Sequence, residues 1–211
     1  MANIDTSRTM LERHISVGRS LPRKFKTAFE KFQGIDMEFG DRARFAITVE
    51  LNENHGGLWM YGRFCYWIAG ESIGNCDVIT SLRDILFRMR YLHSDRGQRA
   101  CPELMKLSTE KMFSVISTDI RNDDDEIYNY ISGEFAFARF DVGIHVDVLD
   151  KYEIYLVENG DISKILYFNM ERKELKYFPL DVGEFDRVAL DAYDYLDRMY
   201  DAAEESKGEA S

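Results

Sequence analysis

Apolar and polar positions alternate along some stretches of the chain and recur at helical spacing along others. Ala43–Leu51 (ARFAITVEL) reads as a strand, and NENHGG after it is a turn signal. Leu58–Ala69 (LWMYGRFCYWIA) reads as a second strand, so the pair is most simply a hairpin. Within it Trp59, Tyr61, Arg63, Cys65 and Trp67 share one face, and Met60, Phe64, Tyr66 and Ile68 the other. Apolar residues on both faces imply a central strand covered on both sides, with its aromatic rings in the core. Its two tryptophans are also candidates for a recognition rim.

Helical spacing sets in at Ser81. Leu82, Ile85, Leu86, Met89 and Leu92 form one apolar face, and Ser81 with Asp84 resembles a capping box. Residues 102–120 read as helix, in two pieces split near Ser108. Strand patterns follow at Glu134–Asp141, Gly143–Leu149 and Tyr152–Val157. Glu158–Asp161 (ENGD) is a hairpin turn, Ile162–Phe168 its returning strand, and Lys173–Phe178 one strand more. Asp181 with Glu184 then opens a long C-terminal helix. Its stripe is Phe185, Val188, Ala189, Ala192, Leu196, Met199 and Ala203. Strands and helices come in blocks, which predicts an α+β fold: mainly antiparallel sheet, packed helices and a long amphipathic C-terminal helix. A shorter helix, Pro22–Phe32, carries Phe25, Ala28, Phe29 and Phe32 on one face and basic residues elsewhere.

Composition narrows the function classes. The 211 residues include 27 basic and 38 acidic side chains, for a net charge of −11, which disfavours a general nucleic-acid binder. The charge is uneven: residues 1–36 carry +3 and residues 37–211 carry −14, which sum to −11. The expected organisation is therefore a basic extension over 1–36, a single domain over 37–205 and a disordered tail over 206–211. No membrane partner is expected, because the richest apolar run, Leu58–Gly70, is short and broken by Arg63. The absence of an apolar segment near the N-terminus and three scattered cysteines, Cys65, Cys76 and Cys101, suggest reduced thiols in a cytoplasm.

Catalytic signals are sparse. No HExxH, phosphate loop, GxSxG or zinc spacing occurs, so neither an enzyme nor a cofactor is expected. Asp141, His145 and Asp147 would share one face of a continuous strand, which makes a metal-dependent enzyme the alternative reading. The acidic clusters weigh more: the run Asp123, Asp124, Asp125 and Glu126, and the helical stripe Asp191, Asp194, Asp197 and Asp201. Either would suit a basic protein partner, since complementary fields steer encounter. A regulatory scaffold module is a further alternative.

Three segments carry a family resemblance: MEFGDRARFAITVEL, GGLWMYGRFCYWIAGESIGN and TSLRDILFRMRYLHSDRGQR. With YEIYLVENGDISKILYF and PLDVGEFDRVALDAYDYL, they make residues 37–200 similar to the immunity protein family numbered forty-two, antidotes encoded beside bacterial polymorphic toxins. Family members begin near Met37, so residues 1–36 are expected to be either a true extension or an upstream-start artefact. The resemblance implies a cytoplasmic protein that binds one cognate toxin and blocks it; by analogy with other effector toxins, a basic nuclease would suit an acidic inhibitor. It supplies no binding residues, so the acidic clusters remain the candidate toxin-binding sites.

Overall fold

The computed structural model describes residues 36–122, 125–131 and 137–208. The first sheet has strand order β1 (Asp36–Gly40), β2 (Phe45–Leu51), β3 (Tyr61–Ile68) and β4 (Glu71–Ile73), all antiparallel. A two-residue strand β5 (Thr80–Ser81) pairs with the start of β3. Its inner face follows the period of two: Phe45, Ile47, Val49 and Leu51 interleave with Phe64, Tyr66 and Ile68, all buried. Each such side chain contributes about 1.5–3 kcal/mol by leaving water.

Helices α1 (Leu82–Ser94) and α4 (Glu184–Gly208) pack on that face. All five apolar positions expected for α1 are buried, and the Ser81 hydroxyl accepts the Asp84 amide at 3.2 Å. All seven residues of the α4 stripe are buried as well. Gly62 allows α1 to start hard against β3. A Cβ there would lie 2.7 Å from the Leu82 side chain and 2.2 Å from the Glu50 carbonyl oxygen.

The second sheet runs β6 (Tyr152–Glu158), β7 (Ile162–Asn169), β8 (Glu174–Asp181), again antiparallel. This sheet, not the first, is covered on both faces. Ile154, Leu156, Ile165 and Tyr167 enter the main core. Tyr155, Val157 and Leu166 face a second core, built with α2 (Pro102–Met105) and α3 (Thr109–Asn122). The break between these helices falls at Ser108, whose hydroxyl accepts the Lys111 amide.

Three buried charges join the layers. Arg99 is fully buried; it donates to Asp186 at 2.5 Å, to the Leu92 carbonyl at 3.1 Å and to the Arg139 carbonyl at 2.8 Å. One guanidinium thus ties the end of α1, the first turn of α4 and the segment before β6. Arg44 donates two bonds to Glu184, at 2.9 and 2.6 Å. Glu184 also accepts the Asp181 amide, the reach-back half of the expected cap. The Arg44 hydrogen bond, more than any other influence, holds the Glu184 carboxyl below its ordinary value.

Several expectations are corrected. The strand expected over Leu58–Ala69 begins only at Tyr61, because Gly57–Trp59 turns as a 3-10 helix. Its outer face is not core: Trp59 and Tyr61 are exposed, and Arg63 pairs with Glu50 across the strands at 2.8 Å. A polar cross-strand pair of this kind can face water, so no second layer is required there. Segment 143–149 is not a strand, and Phe137–Phe140 is a 3-10 helix. Strand β1 was not anticipated. Cys65 and Cys76 are joined by a disulfide, in place of the expected free thiols; β4 reverses the chain and brings Cys76 back over β3. The expected helix Pro22–Phe32 lies outside the described residues, as do 209–211, whereas α4 runs through 206–208.

Candidate functional site

Of the first acidic cluster, Asp123 and Asp124 lie outside the described residues and Asp125 opens the 3-10 helix Asp125–Asn129. Glu126 lies 2.5 Å from Lys111, so the fold already supplies it with a cation. The second cluster is more open. Asp191, Asp194 and Asp201 are exposed on the outer side of α4, and Asp197 is half-buried. The Asp201 carboxyl is pushed up, first by desolvation and then by Asp197 and Glu204. These neighbours repel one another, and an arriving cation would relieve the repulsion.

Asp141, His145 and Asp147 do not form the strand-borne triad. His145 Nε2 is 2.9 Å from Asp141 Oδ2, and the other Asp141 oxygen accepts the Gly143 amide at 3.0 Å. The hydrogen bond to Asp141 raises the His145 pKa. Among the described residues no group of three His, Cys, Asp or Glu side chains is placed to hold a metal ion. The chain between 142 and 149 folds as turns, so the period-two alignment that would make a ligand set is lost.

A site not anticipated from the sequence lies beside His145. A recess of about 670 Å³ opens between α1, the β5 corner and loop 145–148. Tyr61, Val78, Ile79, Phe87, Tyr91 and Val146 supply its apolar surface; Asp84, Arg88, His145 and Asp147 supply its polar groups. Four of these apolar residues are conspicuously exposed: Tyr61 39%, Val78 44%, Ile79 51% and Tyr91 74%. Next to them Trp59, 47% exposed, lies parallel to Tyr61 with centroids 6.3 Å apart. The Arg83 guanidinium covers the Trp59 ring at 3.7 Å.

The backbone that presents these rings is strained and well anchored. Met60, between the two exposed aromatics, has φ of 51°, a left-handed conformation that costs a non-glycine residue on the order of 1 kcal/mol. Hydrogen bonds hold it there: Tyr61 N–H donates to the His55 carbonyl at 2.7 Å, and Leu82 N–H to the Met60 carbonyl at 3.1 Å. On the facing wall the Asn75 amide donates to the Val148 carbonyl at 2.8 Å. Gly74 permits that approach, having φ of 107° and no room for a Cβ beside Leu149. The signals that could have found this face, and were not read from the sequence, are Val78-Ile79 inside a turn-like segment and Tyr91 off the α1 stripe.

The described residues form an α+β fold that carries an open aromatic recess and an exposed acidic helix face. The same fold occurs in the crystal structure of CdiI from Burkholderia dolosa AUO158, with a TM-score of 0.56, 21% identity, and 75% of this chain and 99% of that chain covered. Residues 37–195 match the family model described as Immunity protein 42, and the chain belongs to that family. A sequence search of curated proteins finds no match. The function is that of a toxin-neutralising immunity protein. No helix among the described residues is long and apolar enough to cross a membrane.

Proposed function

We propose that the protein neutralises its toxin by stoichiometric binding rather than by catalysis, and that the partner is basic. Family membership supports the first part. The single observation that carries the second is the α4 stripe, where Asp191, Asp194 and Asp201 stand in solvent and Asp201 feels its acidic neighbours. Such a field speeds the encounter with a cationic surface and excludes acidic ones. Asp123, Asp124, Asp125 and Glu126 are a second, weaker footprint, because Glu126 already faces Lys111. A nuclease is the toxin class that suits this charge, since its substrate-binding surface is itself cationic. The same acidity speaks against nucleic acid as the protein's own ligand, and no membrane partner is proposed.

The test is co-expression with the toxin encoded beside the gene. Survival, together with a one-to-one complex on purification, supports the reading. Death in the presence of this protein and no complex overturns it. The proposed compartment is the cytoplasm, where the Cys65–Cys76 bond stands against a reducing poise. Fractionation of the expressing cells tests this: recovery with cytoplasmic markers supports the proposal, and recovery outside the cytoplasmic fraction opposes it.

A further inference from the structure

We infer that the recess between α1, the β5 corner and loop 145–148 is the anchor for the toxin, and that it receives a protruding toxin segment bearing a large apolar side chain beside a basic one. The inference rests on the toxin-neutralising reading and adds to it the place where the complex is held. Charged stripes act mainly on the rate of encounter, whereas buried aromatic and apolar anchors set the lifetime of a complex. The α4 stripe offers the first. The recess offers the second, with Trp59, Tyr61, Ile79 and Tyr91 exposed on one continuous face. Soluble proteins rarely leave a cluster of this kind uncovered without a partner for it.

The charge in the recess selects the occupant. Asp84 is paired with Arg83 and His145 is bonded to Asp141, so Asp147 is the carboxylate open beside the apolar floor, with Arg88 on α1 as the open cation. Arg83 is drawn onto Trp59 and is hydrogen-bonded to Asp84 at 3.0 Å, so it stiffens the rim. A side chain entering over Tyr61 and Ile79 would therefore bring its basic neighbour toward Asp147, which is exposed. The strained Met60 turn is consistent with the same role. It sets two rings outward at a cost to the free protein, which is a feature of sites selected for contact.

The experiment compares Ile79→Glu and Tyr91→Glu with the unaltered full chain. Binding kinetics are measured on the immobilised toxin domain encoded beside the gene, and melting of each free variant is recorded. Both positions are exposed, so melting is expected to stay within about 2 °C of the unaltered protein. Dissociation is expected to accelerate roughly 30-fold or more, with association changed by less than about 3-fold. Unchanged dissociation in both variants, with the unaltered protein still binding, overturns the anchor alone. An unaltered protein that neither binds nor protects overturns the toxin reading and the anchor together. Two further results also overturn it. If either variant changes the sedimentation of the free protein, the recess belongs to a second copy. If removal of residues 1–35 tightens toxin binding, it belongs to that segment.

Discussion

At the first turn of α4, Glu184 and Asp186 are buried and each meets an arginine, whereas Asp191, Asp194 and Asp201 further along stand in solvent. The residue types are the same and the helix is the same. The first turn lies where three layers meet, so its carboxylates are neutralised from within the chain and also face the favourable end of the helix dipole. Asp191, Asp194 and Asp201 are exposed and form no ion pair among the described residues, so in the proposed reading their charge is open to a partner. Acidity by itself does not mark a binding site; the footprint proposed above rests on acidity that the described fold leaves in solvent.

The largest expected effect comes from breaking the inner pair. Arg99→Met leaves Asp186 buried without its cation and is expected to cost about 3–5 kcal/mol in urea unfolding. Adding Asp186→Leu should recover part of that loss; no recovery would mean that the carbonyls of Leu92 and Arg139, not the ion pair, are the critical partners. Altering the outer face should leave the fold intact. Charge reversal to lysine at Asp194, Asp197 and Asp201 together is expected to slow toxin association about 10-fold and flatten its dependence on salt. Unchanged association would move the footprint to residues 123–126.

Smaller effects test the comparison through pH. Because the folded Glu184 pKa is depressed, its contribution is present above the ordinary value of 4.5 and is lost as pH falls through the folded value. Glu184→Gln should therefore lower stability at neutral pH and flatten the acid limb of the melting curve below 4.5. His145 runs the other way. Its folded pKa is raised, so its contribution is complete below 6.5 and fades as pH rises through the folded value. The histidine is exposed, so His145→Gln should change stability by no more than about 0.5 kcal/mol and remove only that alkaline-side drift.

The helices were legible because their signal is local. The α1 and α4 stripes each need only one apolar face at helical spacing, and every residue assigned to those faces is buried. The antiparallel hairpin β6–β7 was legible for a related reason: Asn159 accepts the amides of Asp161 and Ile162, so the turn carries its own register. What the sequence concealed depends on distant segments. Leu58–Ala69 looks apolar on both faces, yet which face is covered depends on where α1 and α4 dock. Asp141, His145 and Asp147 align only if their segment is extended, and Asp141 instead bonds within its own loop. The recess was hidden because its exposed apolar residues are divided among separate stretches of chain, Tyr61 in β3, Val78 and Ile79 before β5 and Tyr91 in α1.

The walls of that recess are held by backbone hydrogen bonds, by Gly62 and Gly74 and by the Ser81 hydroxyl, not by the exposed side chains Val78, Ile79, Arg88 and Tyr91. Exchanging Val78, Ile79, Arg88 or Tyr91 would therefore rewrite what the opening accepts and leave the frame standing. An antidote built this way can keep pace with a toxin that changes, because its vocabulary for recognition is separable from the grammar of its fold.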